Sequence, residues 1–383
     1  MSFADLGLNP ELISSIQRAE YTQPYPIQVE AIPLLLKGKD VLGLAPTGSG
    51  KTAAYILPIL QQLLAKEAPK DRAIQVLVMV PTRELAVQVG EVAENFSRFL
   101  PRRIKSLAVF GGVSINPQMI KLGGTEILIA TPGRLLDLIE RNAVSIDQIK
   151  MLVIDEADKV LQMGFREEMD RILAQVPKKK QTVLFSATMD QEVEELIQKL
   201  LREPVKIQVA AEDFTSDLIK QSAYRVSPET KGPFLRQFIQ SGNWKQILIF
   251  TSSIRTADNV VGKLSKNGIP AVAFHGDKSQ GARMEALAKF KSGKIRVLVA
   301  TDLAARGIDI QALPLVINYE LPRSPKDYIH RIGRTGRAGM EGEAVSLITP
   351  EELHHFKVIQ KKMGKWLKLI HEEDFGKITE QGF

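Results

Sequence analysis

Cysteine is absent from the 383 residues of this sequence. Its absence excludes disulfides, thiolate metal sites and cysteine nucleophiles. It is also typical of proteins kept in a reducing compartment, so we expect a cytoplasmic location. Long apolar runs are missing as well, because the longest candidate, residues 53–65, is interrupted by Pro58, Gln61 and Gln62. A membrane-spanning helix needs about 20 apolar residues, and we therefore predict no association with a membrane.

Acidic residues are the minority charge: 44 Asp and Glu stand against 51 Lys and Arg, which gives a formal net charge of +7. A positive field attracts phosphates and releases their counterions, so this balance favours a polyanionic partner. Many cytosolic proteins are equally basic, and charge alone leaves both interpretations open. The hydrophobic fraction of 44% and the charged fraction of 25% are those of a soluble globular protein.

Short, nearly all-apolar runs alternate with longer amphipathic stretches along the chain. Such runs predict buried strands and the stretches between them predict helices, which together indicate parallel sheets covered on both faces. The pattern occurs between residues 40 and 185 and again between residues 246 and 347, so we predict two α/β lobes. The expected domains are an N-terminal lobe (1–209), an interlobe linker (210–222), a C-terminal lobe (223–350) and a short helical extension (351–383).

The predicted extension carries five lysines between Lys357 and Lys368, with Trp366 among them. We interpret this segment as a solvated helix face. An RNA-binding extension is the alternative.

A glycine-rich loop, from Ala45 to Thr52, follows a predicted strand and opens a predicted helix. In this setting backbone N–H groups surround phosphate oxygens, aided by the positive end of the helix. Lys51 is placed to reach the β- and γ-phosphates, and the Thr52 hydroxyl to coordinate Mg²⁺. The loop residues expected around the phosphates are Thr47, Gly48, Ser49 and Gly50. A glycine-rich turn without a ligand is the alternative.

Two acids, Asp155 and Glu156, directly follow the predicted strand 151–154. Ligands of open α/β sheets bind at the carboxyl ends of strands, beside a phosphate loop. Asp155 is therefore predicted to hold Mg²⁺ with its water shell, and Glu156 to orient and deprotonate an attacking water.

From Phe3 to about Thr349 the motifs and their order resemble those of the DEAD-box ATP-dependent RNA helicases. The resemblance implies an α/β fold with two tandem RecA-like lobes, each a mostly parallel sheet with helices on both faces. It implies that Lys51, Asp155 and Glu156 take part in hydrolysis of ATP with Mg²⁺. The compact, tail-poor architecture leads us to expect a bacterial source.

The segment Tyr21–Gln28 resembles the Q motif of this family. The resemblance implies that Gln28 reads the adenine edge with its amide, which has both donors and an acceptor. It also implies that Tyr21 supplies a flat surface for the adenine ring, and that Phe3 is the isolated upstream aromatic of the nucleotide site. The segment departs from the family pattern twice, with Glu20 where glycine is usual and Tyr25 where threonine is usual.

First-lobe RNA contacts are implied at three short motifs that follow apolar runs, because hydroxyls, loop N–H groups and arginines suit phosphate. Their residues are Pro81, Thr82, Arg83, Gly111, Gly112, Thr131, Pro132 and Arg134. The segment Ser186–Thr188 resembles the motif that couples the ATP site to RNA. Ser186 and Thr188 are expected to exchange partners with acids that include Asp158.

In the second lobe the resemblance implies that Arg334 and Arg337 contact the γ-phosphate, since an arginine finger stabilises transition-state charge. Asp309 is expected to contact the ribose, and Arg306 and His330 to support the closed interface. The implied RNA contacts are Thr251, Arg255, Gly276, Thr301 and Asp302.

We therefore predict an RNA helicase that hydrolyses ATP in an RNA-stimulated manner and, by lobe closure, unwinds short duplexes or remodels RNA–protein complexes. The predicted partners are ATP, Mg²⁺ and single-stranded or duplex RNA, bound largely without regard to sequence by a monomer. An ATP-gated RNA clamp or scaffold is the first alternative, and a DNA translocase with the same lobes is the second.

Overall fold

The computed structural model describes residues 1–46, 48–65, 74–209, 218–305, 313–336 and 341–375. The chain divides into two compact units, Met1–Glu212 and Asp213–Phe383. The predicted domain limits themselves remain predictions.

The first unit contains seven described strands, six of which coincide with the predicted apolar runs. The strands are β1 (Val41–Leu44), β2 (Val76–Met79), β3 (Ser106–Val109), β4 (Ile127–Ala130), β5 (Met151–Ile154), β6 (Gln181–Ser186) and β7 (Val205–Gln208). Every pairing is parallel, and the order across the sheet is β3-β4-β2-β5-β6-β1-β7.

Two helices of this unit precede β1, and the others lie between successive strands. The helices are α1 (Pro10–Arg18), α2 (Pro26–Leu36), α3 (Lys51–Leu64), α4 (Arg83–Ser97), α5 (Asn116–Lys121), α6 (Pro132–Glu140), α7 (Ala157–Gln162), α8 (Arg166–Leu173) and α9 (Gln191–Leu200). Several begin where sequence rules place a helix start. Proline occupies the first turn of α1, α2 and α6, and side chains of Asn9, Thr82 and Asp190 cap α1, α4 and α9.

Both faces of the first sheet are buried. Along β2, Val76 and Val78 join one apolar cluster while Leu77 and Met79 join another. Because successive strand residues point to opposite faces, the two clusters are the two helix-covered sides of one sheet.

The second unit repeats this plan. Its strands are β8 (Ile219–Arg225), β9 (Ile247–Thr251), β10 (Ala271–Phe274), β11 (Val297–Thr301), β12 (Leu315–Asn318), β13 (Gly342–Ile348) and β14 (Leu369–His371). Its helices are α10 (Lys231–Ser241), α11 (Ile254–Lys266), α12 (Gln280–Lys291), α13 (Asp302–Ala305), α14 (Pro325–Ile332) and α15 (Leu353–Met363). The sheet is again all parallel, in the order β10-β11-β9-β12-β13-β8-β14. The predicted α/β fold with two parallel sheets is confirmed.

The segment predicted as a C-terminal extension is built into the second unit over its described part, residues 351–375. Phe356 and Ile359 of α15 are fully buried, and the ring of Phe375 packs edge-on against Tyr224 at a centroid distance of 5.8 Å. Among the described residues no helix is both long and apolar enough to cross a bilayer.

Candidate functional site

The strand order brings three predicted motifs together at the carboxyl ends of neighbouring strands in the first sheet. Strands β5, β6 and β1 are neighbours, so the acids after β5, Ser186 at the end of β6 and the phosphate loop after β1 lie side by side. The loop leaves the sheet with the Ala45 amide still donating to the Ser186 carbonyl oxygen at 3.0 Å.

The phosphate loop is shaped by backbone conformations that glycine permits. Gly48 and Gly50 have φ angles of +85° and +87°, in the left-handed region. The Ser49 hydroxyl donates to the Pro46 carbonyl oxygen at 2.8 Å, and the buried Lys51 Nζ donates to the Ala45 carbonyl oxygen at 3.1 Å. The ammonium group is therefore held against the loop at the start of α3. Thr47, also predicted here, lies outside the described residues.

Asp155 is buried beside this loop, at only 2% exposure. The Tyr55 hydroxyl donates to Asp155 Oδ2 at 3.0 Å. Burial raises the pKa of Asp155 above its ordinary value, against the opposing effect of the Lys51 charge, and the neighbouring Glu156 charge raises it further. Burial and the Asp155 charge raise the pKa of Tyr55 well above its ordinary value, so this hydroxyl remains a donor.

The residues here fit a magnesium ion. Asp155 Oδ1 is buried and accepts no hydrogen bond from any described residue, and a buried carboxylate oxygen without a partner requires a compensating group. A carboxylate and the Thr52 hydroxyl are hard oxygen ligands of the kind that Mg²⁺ uses together with water and substrate phosphates. Thr52 and Asp155 are the residues that would hold it.

Replacing Tyr55 with phenylalanine tests whether the tyrosine orients Asp155. The ring, which packs on Phe185 at a centroid distance of 5.9 Å, would stay, and only the hydroxyl would be lost. Because a hydrogen bond to a charged group contributes about 1.5–3 kcal/mol, we expect the Mg²⁺ concentration for half-maximal ATP binding to rise about tenfold or more. ATP binding in EDTA should not change. Tyr328→Phe removes a buried tyrosine hydroxyl from the second unit and is the control. An unchanged Mg²⁺ requirement would remove Tyr55 from this role.

Glu156 has a backbone conformation that is uncommon for a side-chain-bearing residue, with φ +53° and ψ 49°. Such strain of about 1–3 kcal/mol is found at functional sites, where surrounding structure fixes it. The carboxylate is 4% exposed, and its Oε1 lies 2.9 Å from Lys159 Nζ. Lys159 therefore holds Glu156 in place, a contact that the sequence analysis did not identify.

The predicted coupling residues contact each other. The Thr188 hydroxyl donates to Asp158 Oδ2 at 3.0 Å, and the Ser186 hydroxyl donates to the Thr188 carbonyl oxygen at 2.7 Å. The segment after β6 is thus hydrogen-bonded to the acidic segment after β5.

Gln28 contacts the phosphate loop directly. Its Nε2 donates to the Gly50 carbonyl oxygen at 2.9 Å, and its Oε1 accepts from the Tyr25 amide at 3.0 Å. A Cβ on Gly50 would lie 2.6 Å from Gln28 Nε2 and 2.9 Å from Tyr25 Cδ2, so this packing needs glycine. One amide N–H and one lone pair remain for a base, but Gln28 is fully buried. Reading adenine therefore requires a covering group to move.

The two predicted aromatics of the nucleotide site, Tyr21 and Phe3, both pack against other residues of the first unit, and their predicted role remains a prediction. Tyr21 packs on Phe96 at a centroid distance of 5.1 Å and lines a cavity of about 190 Å³ that Gln28 does not line. Phe3 is buried in the apolar core. At Glu20 the φ angle is +63°, which explains why glycine is usual at this position of the family pattern.

The first-unit RNA motifs follow β2, β3 and β4, on the other half of the same sheet edge. A Cβ on Gly112 (φ +74°) would lie 1.8 Å from Arg83 Nη1, so the arginine of one motif packs on the glycine of another. Arg134 is buried and donates to the Val113 carbonyl oxygen at 2.8 Å. The other predicted contacts lie at these strand ends and helix starts: Pro81, Thr82, Gly111, Thr131 and Pro132.

In the second unit the predicted RNA contacts differ in exposure. Arg255 and Gly276 are exposed, whereas Thr251 is buried and its hydroxyl donates to the Ser253 carbonyl oxygen at 3.3 Å. Thr301 is 9% exposed. Asp302 forms a bidentate pair with Arg331, with Nε–Oδ1 and Nη2–Oδ2 distances of 2.6 Å.

Arg331 is a residue that the sequence analysis missed. It is 2% exposed, donates to Asn318 Oδ1 at 3.1 Å and lies 4.9 Å from the Phe250 ring centroid. Its position in the chain beside His330 and three residues before Arg334, both of which were predicted site residues, was the available signal. Arg334 is largely buried and His330 half-buried. Arg306, Asp309 and Arg337 lie outside the described residues.

Two α/β units, each with a parallel sheet and the first with a phosphate loop beside a buried acid pair, define a nucleotide-binding protein. Residues 25–196 match the DEAD/DEAH box helicase family, and residues 230–339 match the helicase conserved C-terminal domain. The chain belongs to the DEAD/DEAH box helicase family.

Its relatives include bacterial and fungal proteins. The chain is 40% identical over 378 residues to the DEAD-box ATP-dependent RNA helicase CshA of Streptococcus pneumoniae. The aligned residues cover 98% of this chain and 71% of the relative. It is 40% identical over 370 residues to the ATP-dependent rRNA helicase RRP3 of Gibberella zeae, covering 96% of this chain and 75% of the relative.

A solved structure of S. cerevisiae Dbp5 bound to RNA and ADP BeF3 is similar to the chain, with a TM-score of 0.85 and 31% identity over 99% of this chain and 98% of that one. This similarity confirms the predicted tandem RecA-like lobes. The predicted bacterial source remains a prediction.

Proposed function

We propose that this protein is an ATP-dependent RNA helicase whose ATP hydrolysis is stimulated by RNA. The observation that carries the proposal is the cluster at one sheet edge, where Lys51 lies against the phosphate loop and Asp155 and Glu156 are buried beside it. The relatives named as RNA helicases and the RNA-bound state of the similar Dbp5 structure support RNA as the second ligand.

The residues of the first unit divide the chemistry between them. The loop N–H groups and Lys51 bind and orient the triphosphate, since the start of α3 favours negative charge. Glu156 accepts the proton of the attacking water, which requires the ionised carboxylate that Lys159 supports. Mg²⁺, held by Asp155 and Thr52, would neutralise developing phosphate charge when bound.

RNA binding and lobe closure complete the proposed cycle. We propose that Arg83 and the loop N–H groups near Gly112 contact phosphates, which would make recognition independent of sequence. We propose that Arg334 and Arg337 of the second lobe contact the γ-phosphate. We also propose that lobe closure bends one RNA strand, so that the complementary strand is released. Hydrolysis then releases the RNA, with the Thr188–Asp158 hydrogen bond as the proposed link between the two sites.

Three finer properties belong to the same proposal. We place the protein in the cytoplasm, which the absence of cysteine supports. We propose Mg²⁺ as the metal, because the donor set is all oxygen. We also propose that a monomer is active, since the nucleotide and RNA motifs all come from one chain.

The decisive experiment measures ATP turnover with single-stranded RNA, with matched DNA and with neither, beside unwinding of a short RNA duplex. RNA-specific stimulation together with unwinding is expected. Stimulation by DNA would indicate a translocase. ATP-dependent RNA retention with negligible turnover and unwinding would indicate a clamp.

Gln28→Ala tests nucleotide recognition. If the free N–H and lone pair of the amide read adenine, the variant should weaken ATP binding by about tenfold, the loss expected for one or two hydrogen bonds, and GTP binding much less. Gln61→Ala removes another glutamine of the first unit, which bonds Asn9 and Gly7, and serves as the control. An equal loss for both nucleotides would mean that Gln28 acts through its bond to Gly50.

A further inference from the structure

The end of α15 and the turn after it carry a basic surface that the functional motifs do not use. We call it the basic face, formed by Lys357, Lys361, Lys362, Lys365 and Lys368 together with Trp366. Phe356, Ile359 and Gln360 bury one side of α15 in the second unit. Lys357, Lys361 and Lys362 are exposed. Lys357 and Lys361, four residues apart, are neighbours on the helix surface, and Lys362 follows Lys361 directly.

The turn after α15 is fixed rather than loosely attached. Gly364 ends the helix with φ +69°, a conformation that glycine adopts without strain. The Leu367 amide then donates to Gln360 Oε1 at 2.6 Å. Strand β14 follows at once and pairs with β8. Trp366 and Lys368 therefore lie on a short turn that is fixed by α15 before it and by β14 after it.

Four of the five lysines of the basic face have no ion pair within the part of the chain that the structure describes. Some surface charges elsewhere are paired, as in Lys289 Nζ–Glu285 Oε1 at 2.6 Å and Arg103 Nη2–Glu94 Oε1 at 2.7 Å. Among the described residues, which end at residue 375, no carboxylate lies within 4.0 Å of the ammonium groups of Lys357, Lys361, Lys362 and Lys368. The positive charge of these four lysines is therefore not neutralised by an ion pair with a described residue.

Trp366 stands among these lysines with 65% of its surface exposed. The other tryptophan, Trp244, stacks on Phe238 at a centroid distance of 5.1 Å and an interplanar angle of 10°. Tryptophan carries a large apolar area that folding normally removes from water. An exposed indole on a fixed turn, next to Lys365 in the chain and following the lysines of α15, has the two parts of a single-strand nucleic-acid site. These parts are a stacking surface for a base and cations for phosphates.

We propose that the basic face is a second RNA-binding surface, where a base stacks on Trp366 and the lysines bind phosphates. The choice of RNA rests on the proposed function. A lipid surface is disfavoured because Val358 and Trp366 are the only large apolar residues exposed among the described residues of this segment, and shallow membrane insertion requires an apolar stripe. The face acts as an ATP-independent tether, since it contains none of the predicted nucleotide contacts.

The test measures binding of a fluorescein-labelled 12-nucleotide uridine RNA to the full chain without nucleotide, at several salt concentrations. The variants are Trp366→Ala, Trp366→Phe and the double substitution Lys361→Gln/Lys362→Gln. Lys178→Gln/Lys179→Gln, which removes the same charge from an exposed part of the first unit, is the matched control.

Trp366→Ala should weaken binding about tenfold and abolish RNA-induced quenching of the exposed tryptophan, while Trp366→Phe should retain most of the affinity. The Lys361/Lys362 variant should weaken binding at least fivefold. It should also reduce the magnitude of the salt slope by about 1.4, because each single-strand phosphate contact contributes about 0.7. The control should bind as wild type does. ATP turnover at saturating RNA should be unchanged in all four, with a higher half-saturating RNA concentration in the basic-face variants.

Each other result overturns the assignment. Wild-type affinity in the basic-face variants, or an equal loss in the control, would mean that this face is an ordinary solvated surface. Loss of binding to anionic phosphatidylserine vesicles with unchanged RNA affinity would make it a membrane contact. If RNA stimulates ATP hydrolysis by the wild type and the variants bind RNA normally, the proposed RNA-binding role of the basic face is wrong but the proposed function stands. Absence of any RNA response in the wild type would refute the proposed function as well.

Discussion

Glu156→Gln is expected to abolish ATP hydrolysis while leaving ATP and RNA binding intact. Glutamine keeps the volume of the buried side chain and can still accept from Lys159 Nζ, which lies 2.9 Å from Glu156 Oε1. It cannot accept the proton of an attacking water. Removing a general base costs about 10²–10⁴ in rate, so single-turnover hydrolysis should fall by at least 10²-fold. RNA should dissociate more slowly from the variant when ATP is present, because release follows hydrolysis in the proposed cycle.

Two further variants serve as comparisons for Glu156→Gln. Glu167→Gln alters an exposed acid of α8 and should hydrolyse ATP normally. Lys159→Met should lower turnover less than Glu156→Gln does, because the carboxylate remains and only its support is lost. Hydrolysis by Glu156→Gln at close to the wild-type rate would remove Glu156 from the role of base.

Most strands of both sheets could be predicted because a parallel strand buried on two faces appears in the sequence as an unbroken apolar run. The runs at β2 and β9 are of this kind, and the structure places strands there. Strand β8 could not be found in this way. Its residues Lys220, Gln221 and Ser222 are not fully buried, and it lies next to β14, a three-residue edge strand.

The positions of the site loops followed from topology, but the contacts within the site did not. Parallel strands share one carboxyl edge, so motifs after strands were expected to meet there. The neighbours across that edge depend on strand order, and β1 lies beside β6 rather than β2. Tyr55 and Asp155 are 100 residues apart in the chain, and no local pattern connects them. Tyr55 does lie one helical turn beyond Lys51, which was the only signal for its role.

Positive φ angles at Glu20 and Glu156 were likewise not predictable from residue type. Left-handed backbone is normally indicated by glycine or asparagine. At Glu156 the conformation is tied to the acidic segment after β5, whose next acid, Asp158, accepts from Thr188. The structure surrounding the site, rather than the local sequence, therefore stabilises this backbone.

Arg331→Met is expected to destabilise the second unit strongly. The guanidinium makes a bidentate pair with Asp302 and also donates to the Glu320 carbonyl oxygen at 2.6 Å and to Asn318. It therefore joins the carboxyl ends of β11 and β12 to the last turn of α14. Methionine would fill much of the space but would leave four acceptor atoms on three residues without their donor. Breaking a buried pair by removing one partner costs about 3–5 kcal/mol. We expect a value near the lower end because Asp302 is 29% exposed and can regain some hydration.

Thermal and urea unfolding of the second unit provide the measurement. For a unit of this size about 1 kcal/mol lowers Tm by 2–4 °C, so the transition should fall by about 6–12 °C. Arg331→Lys keeps the charge but loses the planar fork, and should lie between the wild type and Arg331→Met. Arg323→Met alters an exposed arginine nearby in the chain and should have little effect. The double variant Arg331→Met/Asp302→Leu should recover part of the loss, because no unpaired carboxylate remains. If Arg331→Met unfolds at the wild-type temperature, the hydrogen bonds of Arg331 do not stabilise the second unit.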